Sequence, residues 1–486
     1  MNEINKFDNK LSIEKSQKGR KGSYLLKGKA GECHIPDNYI RKTEPNIPEL
    51  SEFDVVRHYV KLSRNNFSVD TNFYPLGSCT MKYNPKINEE ISKLEGFANL
   101  HPMAIEDASQ GILEIFYDIE KRLCELCGMD YGTFWPVAGA HSEYTGILLA
   151  KKYFSVKGEN RDEIIVPDSA HGTNPATASM AGFKTINLKS TPDGRLDLNV
   201  LKNALNQKTA VVMMTVPNTL GIFETNIKEI CKLAHENGTL VYMDGANFNA
   251  MIGLLKPGEF GIDIMHLNLH KTFSTPHGGG GPGNGAILVK KELEQFLPVP
   301  RVIKKRGEHG DEYSLSEDYK NSIGRVKAHF GNSAIILMAY CYIIMHGAKE
   351  FRSIAENAII NANYIKSKLQ DIYPAYSKEY CMHECVLAPS RELSEKGIKT
   401  LDIAKRLLDY GFHAPTIYFP LIVHEAIMIE PTETENKETM DSFIDTMRKI
   451  YSEALENPEY IKNAPHTTAV KRLDEVEAAR KPNIRW

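Results

Sequence analysis

Short apolar runs alternate with helical periodicity between about residues 112 and 290. The runs that have the length and β-branched content of buried strands are residues 163–167, 210–216, 239–244, 262–266 and 286–289. Between them, apolar residues recur at the spacing of amphipathic helices. Strands that alternate with helices predict a mostly parallel sheet covered by helices on both faces. In such a sheet we expect ligands at the carboxyl ends of the strands.

The regions outside this pattern differ in character. Residues 1–60 are polar and interrupted by prolines, which predicts an extended arm that packs on another surface such as a partner subunit. Residues 61–111 contain the aromatic segment 72–85, rich in proline, glycine and small polar residues. We interpret this segment as an active-site loop, and a structured linker is the alternative.

The pattern changes again near residue 331. Helical periodicity at residues 333–346 and 351–371 is followed by mixed strands and helices. We therefore predict an α/β protein with a large sheet domain over residues 112–330 and a smaller α+β domain over residues 331–486.

Charge and hydropathy exclude some classes of partner. The 486 residues include 59 basic and 62 acidic side chains, a net charge of −3, with no long run of either sign. Nucleic acid is therefore not an expected partner. The first ten residues lack the apolar core of a signal peptide, and no stretch approaches the about 18 uninterrupted apolar residues of a membrane span. We expect a soluble, unexported protein that does not contact a membrane.

Eight cysteines spread over the chain do not form a disulfide framework, which favours the reducing cytoplasm. The pairs Cys124 with Cys127 and Cys381 with Cys385 leave zinc or redox chemistry as an alternative to packed free thiols. We interpret residues 382–384 as having strand character. His383 and Glu384 do not form a zincin motif, because Leu387 stands where the second histidine would be. No metal site is predicted.

Polar residues follow three of the predicted strands. Asp244 ends one strand, where a turn or a helix cap is the alternative role, and His171 follows another, where a structural role is the alternative. Lys271 follows a third strand and precedes the glycine-rich bend of residues 276–283. The bend lacks the spacing of Walker and Rossmann loops, which argues against a nucleotide ligand.

An acid at one strand end followed by a lysine between His270 and Thr272 resembles the aspartate-aminotransferase superfamily, fold type I of the pyridoxal-phosphate (PLP) enzymes. PLP is an electron sink only while its ring nitrogen is protonated, and the anion of Asp244 would keep it so. His171 would stack on the ring, and backbone N–H groups before the predicted helix at residues 143–153 would bind the phosphate. Lys271 is the predicted Schiff-base lysine.

Longer segments resemble one family, the P-protein of the glycine cleavage system. In chain order they are residues 73–82, 169–176, 244–247, 266–273 with 276–283, and 408–415 with 430–433. The resemblance extends from about residue 60 to residue 450 and is to the PLP-bearing second half of that family as a separate polypeptide. It implies a companion subunit that supplies the first half, with two copies of each chain.

The resemblance also implies roles for individual residues. The catalytic set is Lys271, Asp244 and His171. The further cofactor-binding residues are Ala138, Gly139, Ala140, Thr272, Ala246, Asn218 and Thr219. Cys79 lies near the site by resemblance, and its role is open.

The implied reaction is PLP-dependent decarboxylation of glycine, with transfer of the aminomethyl group to the lipoyl arm of an H-protein. Other fold type I activities are alternatives, namely serine hydroxymethyl transfer, aminotransfer and cysteine desulfuration. A non-catalytic scaffold subunit is an alternative of another class, and the presence of His171, Asp244 and Lys271 together argues against it.

Overall fold

The computed structural model of the protein describes residues 10–20, 22, 34–278, 281, 283–308 and 310–484. Parts of the predicted arm (residues 1–9, 21 and 23–33) and of the glycine-rich bend (residues 279, 280 and 282) lie outside the described residues. The chain forms two compact units, Met1–Ser68 with Thr467–Trp486, and Val69–His466. The domain boundaries proposed near residues 111 and 330 both fall inside the second unit, and they stay predictions.

The described residues form fourteen α-helices and twelve strands. The helices are α1 (Glu52–Ser63), α2 (Lys86–Ser92), α3 (Glu95–Ala98), α4 (Glu106–Cys127), α5 (Gly139–Val156), α6 (Thr173–Met180), α7 (Leu198–Ala204), α8 (Ile227–Glu236), α9 (Ser333–Leu369), α10 (Arg391–Glu395), α11 (Thr400–Asp409), α12 (Lys437–Glu456), α13 (Pro458–Lys462) and α14 (Glu475–Arg480). The strands are β1 (Tyr131–Thr133), β2 (Glu163–Pro167), β3 (Lys184–Leu188), β4 (Thr209–Thr215), β5 (Leu240–Asp244), β6 (Ile264–Asn268), β7 (Gly285–Val289), β8 (Arg301–Gly307), β9 (Gly310–Ser316), β10 (Cys385–Leu387), β11 (Thr416–Ile417) and β12 (Ile427–Ile429).

A seven-stranded sheet carries the site. Its strand order is β1-β7-β6-β5-β4-β2-β3, and β7 runs opposite in direction to the other six strands. The five predicted strands correspond to β2, β4, β5, β6 and β7, with small shifts at their ends. The predicted mostly parallel α/β sheet is confirmed.

Alternate residues of the central strands face opposite layers of helices. On β4, Val211 and Met213 pack with Ile147 of α5 on one face of the sheet. Val212 and Met214 pack on the other face, in the cluster that contains Ile230 of α8. This two-residue alternation explains why buried strands in a doubly covered sheet are apolar throughout.

The two helices predicted after residue 331 correspond to the two halves of α9, which meet at a kink. Its helical geometry is interrupted at Gly347, where φ is 61° and ψ is 176°. Among the described residues, α9 alone is long and apolar enough to cross a membrane by length and composition, and half of its most apolar window is buried inside the protein.

A three-stranded antiparallel sheet of order β10-β12-β11 forms a second layer in the same unit. Phe443 and Met447 of α12 and Ile403 of α11 pack in its core. The prediction of strand character for residues 382–384 is wrong, because β10 begins only at Cys385. The backbone N–H of Met382 donates instead to Gly221 O at 2.7 Å, so the triplet lies against the loop that follows β4.

Candidate active site

Asp244 ends β5 at the centre of the large sheet and is 2% exposed. Its Oδ1 accepts a hydrogen bond from the backbone N–H of Ala246 at 2.9 Å, and its Oδ2 accepts from Asn174 and Thr215. Burial raises the pKa of the carboxyl group, but electrostatic interactions with His266 and His171 and the hydrogen bond from the Ala246 N–H outweigh it and hold the pKa below the ordinary value of 3.8. Asp244 is therefore a buried anion at neutral pH.

Lys271 lies in the turn after β6 and is buried. Its Nζ donates a 2.6 Å hydrogen bond to the carbonyl oxygen of Ser78. Ser78 belongs to the segment 72–85 that the sequence marks as a candidate loop, so the structure brings this loop to the lysine. The neighbouring strands β5 and β6 deliver Asp244 and Lys271 to one edge of the sheet, as expected for parallel strands.

His171 follows β2 and is partly buried. Its backbone N–H donates to Thr215 Oγ1 at 3.2 Å, and its Nδ1 lies 2.9 Å from Thr173 Oγ1. The ring meets the ring of Phe419 edge-on, with 5.3 Å between centroids. Burial lowers the pKa of His171, with Asp244 opposing and Lys271 reinforcing the effect, so the imidazole is neutral at pH 7.

Two buried groups beside Asp244 are not predicted from the sequence. His266 Nε2 lies 3.3 Å from Asp244 Oδ1, and its Nδ1 lies 2.7 Å from the hydroxyl of Tyr242. Glu143 on α5 accepts a hydrogen bond from Thr173 Oγ1 at 2.9 Å. Burial, reinforced by the charge of Asp244, raises the pKa of Glu143 from 4.5 to about 7.

The signal for Glu143 is present in the sequence, because the only acid of α5 stands at helical spacing from the apolar Ile147 and Ala150. His266 offers a weaker signal, since a histidine within a strand is most often a core residue.

Ala138, Gly139 and Ala140 form the start of α5. Ala138 is the N-cap residue, and no side chain caps the helix, so the first N–H groups are open to a ligand. Gly139 packs against the amide of Asn268, where an added Cβ would lie 2.4 Å from Asn268 Oδ1. That oxygen is buried and has no hydrogen-bond partner within the described part of the chain.

The four remaining predicted cofactor residues differ in the contacts that they make. Ala246 contributes its N–H to Asp244, and Thr272 is buried next to Lys271. The side chains of Asn218 and Thr219 hold loops, and a cofactor contact of these two residues stays a prediction. The Asn218 amide donates to Gly194 O at 2.7 Å and accepts from two backbone N–H groups, and Thr219 donates to Ser169 O at 2.8 Å.

The cysteines of interest are free thiols. Cys124, Cys127, Cys381 and Cys385 are all buried. Cys79 is partly buried on the loop, next to Ser78, and burial raises the pKa of its thiol although the charge of Lys271 opposes this. Cys79 thus lies beside Lys271, as the resemblance implies.

Comparisons with known proteins add the family. The family model described as glycine dehydrogenase, C-terminal domain, matches residues 354–469, and that of the class-V aminotransferases matches residues 88–376. A probable glycine dehydrogenase (decarboxylating) subunit 2 of Kosmotoga olearia is 54% identical over 98% of each chain. A protein of the same description from Staphylococcus haemolyticus is 53% identical over 98% of this chain and 97% of the relative.

The chain belongs to the family of glycine dehydrogenase (decarboxylating) subunit 2.

Solved structures agree with this family on the fold. A crystal structure of glycine decarboxylase (P-protein) of the glycine cleavage system, in inhibitor-bound form, superposes with a TM-score of 0.72 and 20% identity over 86% of this chain and 93% of that chain. A NifS-like protein superposes with a TM-score of 0.61 and 16% identity over 79% of this chain and all of that chain. The fold is that of PLP-dependent fold type I, as predicted.

The residues of this family member fit PLP by their chemistry. A buried carboxylate suits a protonated ring nitrogen, a buried lysine suits the aldehyde carbon, and an uncapped helix start suits the phosphate. The orphaned Asn268 Oδ1 beside Gly139 marks a polar position that protein atoms leave unsatisfied. These features lie together at the carboxyl edge of the large sheet.

Proposed function

We propose that this chain is the cofactor-bearing subunit of a two-subunit glycine decarboxylase. It releases the carboxyl carbon of glycine as CO2 and passes the aminomethyl group to the lipoyl arm of a carrier H-protein. The observation that carries the proposal is the 54% identity over 98% of the chain with a relative described as a decarboxylating glycine dehydrogenase subunit. The buried Asp244 and Lys271 at adjacent strand ends support it.

PLP is the cofactor. Lys271 would hold its aldehyde carbon, Asp244 its ring nitrogen, His171 its ring face and the start of α5 its phosphate. When bound, PLP supplies an electron sink for the pair of electrons released as the carboxylate departs.

The chain's own residues prepare the site for that chemistry. Asp244 stays ionised, so it keeps a proton on a ring nitrogen placed against it. His171 stays neutral and offers a flat face, which Thr173 and Phe419 hold in orientation. Burial of Asp244 and Lys271 excludes water and strengthens both electrostatic contacts.

The overall reaction balances without a further reagent. The bond between Cα and the carboxylate of glycine breaks, and a bond forms between Cα and one lipoyl sulfur. The lipoyl disulfide bond breaks, and its second sulfur takes up one proton. The disulfide is therefore the oxidant, and it leaves as a thiol.

A companion chain completes the enzyme, since the relatives are described as subunit 2. We propose an assembly with two copies of each chain. The unit of Met1–Ser68 supports a partner-binding role, because Tyr39, Ile47 and Tyr59 are 77%, 66% and 59% exposed. Light scattering of the co-purified subunits would give the stoichiometry.

We also propose a cytoplasmic location. Seven cysteines in the described part of the chain are free thiols, a state that a reducing compartment preserves. Fractionation of the source cells with an antibody to this chain would test it.

The test of the cofactor role is reduction of the complex with borohydride, followed by mapping of the pyridoxyl-labelled peptide. We expect the label on Lys271, and a label on another lysine would refute the assignment.

The test of the reaction is glycine-dependent exchange of labelled bicarbonate into the glycine carboxyl group. We expect exchange to require lipoylated carrier and to be absent with unlipoylated carrier. A requirement for a 2-oxo acid would indicate an aminotransferase, and release of sulfur from cysteine would indicate a desulfurase.

A further inference from the structure

Three ionisable side chains beside the site take no part in the chemistry above. Glu384 precedes β10, Glu430 follows β12, and His383 Nε2 lies 3.8 Å and 3.9 Å from their respective carboxylate oxygens. All three are fully buried. We call His383, Glu384 and Glu430 the acid cluster. Both ring nitrogens of His383 and one oxygen of Glu384 have no hydrogen-bond partner within the described residues, a costly arrangement for a purely structural element.

The acid cluster holds a turn of the active-site loop, residues 78–80. The N–H of Ser78 donates to Glu384 Oε2 at 2.7 Å, and the N–H and hydroxyl of Thr80 donate to Glu430 at 2.9 and 2.6 Å. Ser78 and Thr80 have φ angles of 66° and 45°, in the left-handed region that residues other than glycine rarely adopt. Such a conformation persists only where the surroundings enforce it, and the two carboxyl groups provide that restraint.

The same turn faces Lys271. The carbonyl oxygen of Ser78 accepts the hydrogen bond from Lys271 Nζ, while the N–H of Ser78 is held by Glu384. One residue therefore connects the acid cluster to the lysine.

Lys271 also acts electrostatically on two members of the acid cluster, Glu384 and His383. Burial, reinforced by the charge of Glu430, raises the pKa of Glu384 well above 4.5, and the N–H of Ser78 and the charge of Lys271 oppose this. Burial lowers the pKa of His383. The charge of Glu430 opposes this decrease, and the charge of Lys271 reinforces it.

We propose that Glu384 and Glu430 are positioning residues for Lys271. Their hydrogen bonds to the turn of residues 78–80 fix the position of the Ser78 carbonyl oxygen. In that position the oxygen accepts a hydrogen bond from the lysine amino group when that group is not bonded to the cofactor. Such a position would serve a lysine that must release the cofactor to the amino group of the substrate and take it back in each turnover. A held amino group returns faster than a freely rotating one. The inference rests on the proposed function only for the role of Lys271.

The first test measures the turn itself in the complex of both subunits, by hydrogen exchange of the peptide that contains residues 78–80. We expect Glu384→Ala and Glu430→Ala to lose the protection of the Ser78 and Thr80 amides. Glu384→Gln mimics the neutral acid and should retain protection. The matched control is Glu120→Gln, a buried acid elsewhere in the same unit that also accepts a backbone hydrogen bond, from Gly132 at 3.1 Å.

The second test measures the return of Lys271 after glycine is removed by rapid gel filtration, from the absorption band of the lysine-bonded cofactor. We expect about tenfold slower return in the two alanine variants, the factor equivalent to one hydrogen bond of about 1.4 kcal/mol. Thr80→Ala removes one hydrogen bond to Glu430 without deleting a buried acid, and it should slow the return by about threefold. This milder variant keeps the test decisive if the alanine variants do not fold.

Several outcomes would overturn the proposal. Equal return rates in wild type, Thr80→Ala and the alanine variants would refute it, and so would a Glu384→Gln variant as slow as Glu384→Ala. A stoichiometric divalent metal in the purified complex that Glu384→Gln abolishes would make the acid cluster a metal site instead. Borohydride labelling tests the proposed function separately from the positioning role of Glu384 and Glu430. Absence of the label on Lys271 in the wild type would refute the proposed function.

Discussion

The two sides of the site are built by different means. Asp244, His266 and Lys271 come from two adjacent strands of one sheet and the turn after them, and we call them the strand-end wall. The second part of the site, the loop wall, combines the turn of residues 78–80 with Glu384 and Glu430. The direction of the parallel strands places the residues of the strand-end wall. The loop wall forms only when segments that are far apart in the sequence come into contact. We therefore expect mutations in the strand-end wall to act on chemistry and mutations in the loop wall to act on position and stability.

The largest effect is expected in the strand-end wall, from Lys271→Ala. Loss of the covalent attachment point should reduce glycine-dependent turnover by about 1,000-fold or more. Turnover is measured in the complex with lipoylated carrier, and the borohydride label should disappear. A variant that keeps more than a tenth of the wild-type rate would show that another lysine serves.

Asp244→Asn should have the next largest effect, a loss of about a hundredfold in turnover, because one preorganised charge is worth about 3 kcal/mol in a transition state. The cofactor should stay bound, as its absorption spectrum would show.

Asp168→Asn is the matched control, since Asp168 also follows a strand but is exposed and accepts hydrogen bonds from Ser190. Near-normal turnover of Asp244→Asn with the cofactor bound would refute the role of Asp244.

The loop wall should respond to Gly77→Ala through stability. An added Cβ would lie 2.2 Å from Met428 Cγ and 2.8 Å from the Met428 carbonyl oxygen, so the loop or β12 must shift. We expect the free energy of unfolding in urea to fall by about 2–3 kcal/mol. Gly111→Ala, on α4 with open space around it, is the control and should be neutral or slightly stabilising. Equal stability of the two variants would contradict the close packing of this loop.

The smallest effect is expected behind the strand-end wall, at Glu143. Its pKa is raised by burial to about 7 in the folded protein, so between pH 4.5 and about 7 the unfolded chain releases a proton that the folded protein retains. The free energy of unfolding therefore falls as the pH rises from 4.5 to about 7. Glu143→Gln should remove this contribution to the pH dependence.

We expect the variant to gain roughly 1–2 kcal/mol over wild type between pH 5 and pH 7.5 in urea unfolding. Other titrating groups, such as Glu435, contribute equally to both proteins and cancel in the difference. A constant difference across this pH range would place the pKa of Glu143 at its ordinary value.

The contrast between the walls also explains what the sequence could predict. The strand that ends in Asp244 and the turn that carries Lys271 show in local patterns, because a parallel sheet directs its strand ends to one edge. The pairing of Ser78 and Thr80 with Glu384 and Glu430 leaves no such pattern, since it depends on contacts between segments far apart.

Two other residues illustrate the same limit. The amide of Asn218 is engaged with Gly194 and with backbone N–H groups of its own loop, which the sequence does not show, and its contact with the cofactor stays a prediction. His383 fails the spacing of a zincin motif, and only the fold places it between two buried carboxyl groups.

The hydrogen bonds between Thr80 and Glu430 have a consequence for how the enzyme is made. The two residues are 350 positions apart. At roughly 5–20 residues per second, a ribosome needs about 20–70 s to travel between them. During that interval Thr80 is already made while its acceptor does not yet exist, so the nascent chain cannot complete the loop wall. Placement of Lys271 by the loop wall is therefore an event of the last stage of synthesis or of the released chain.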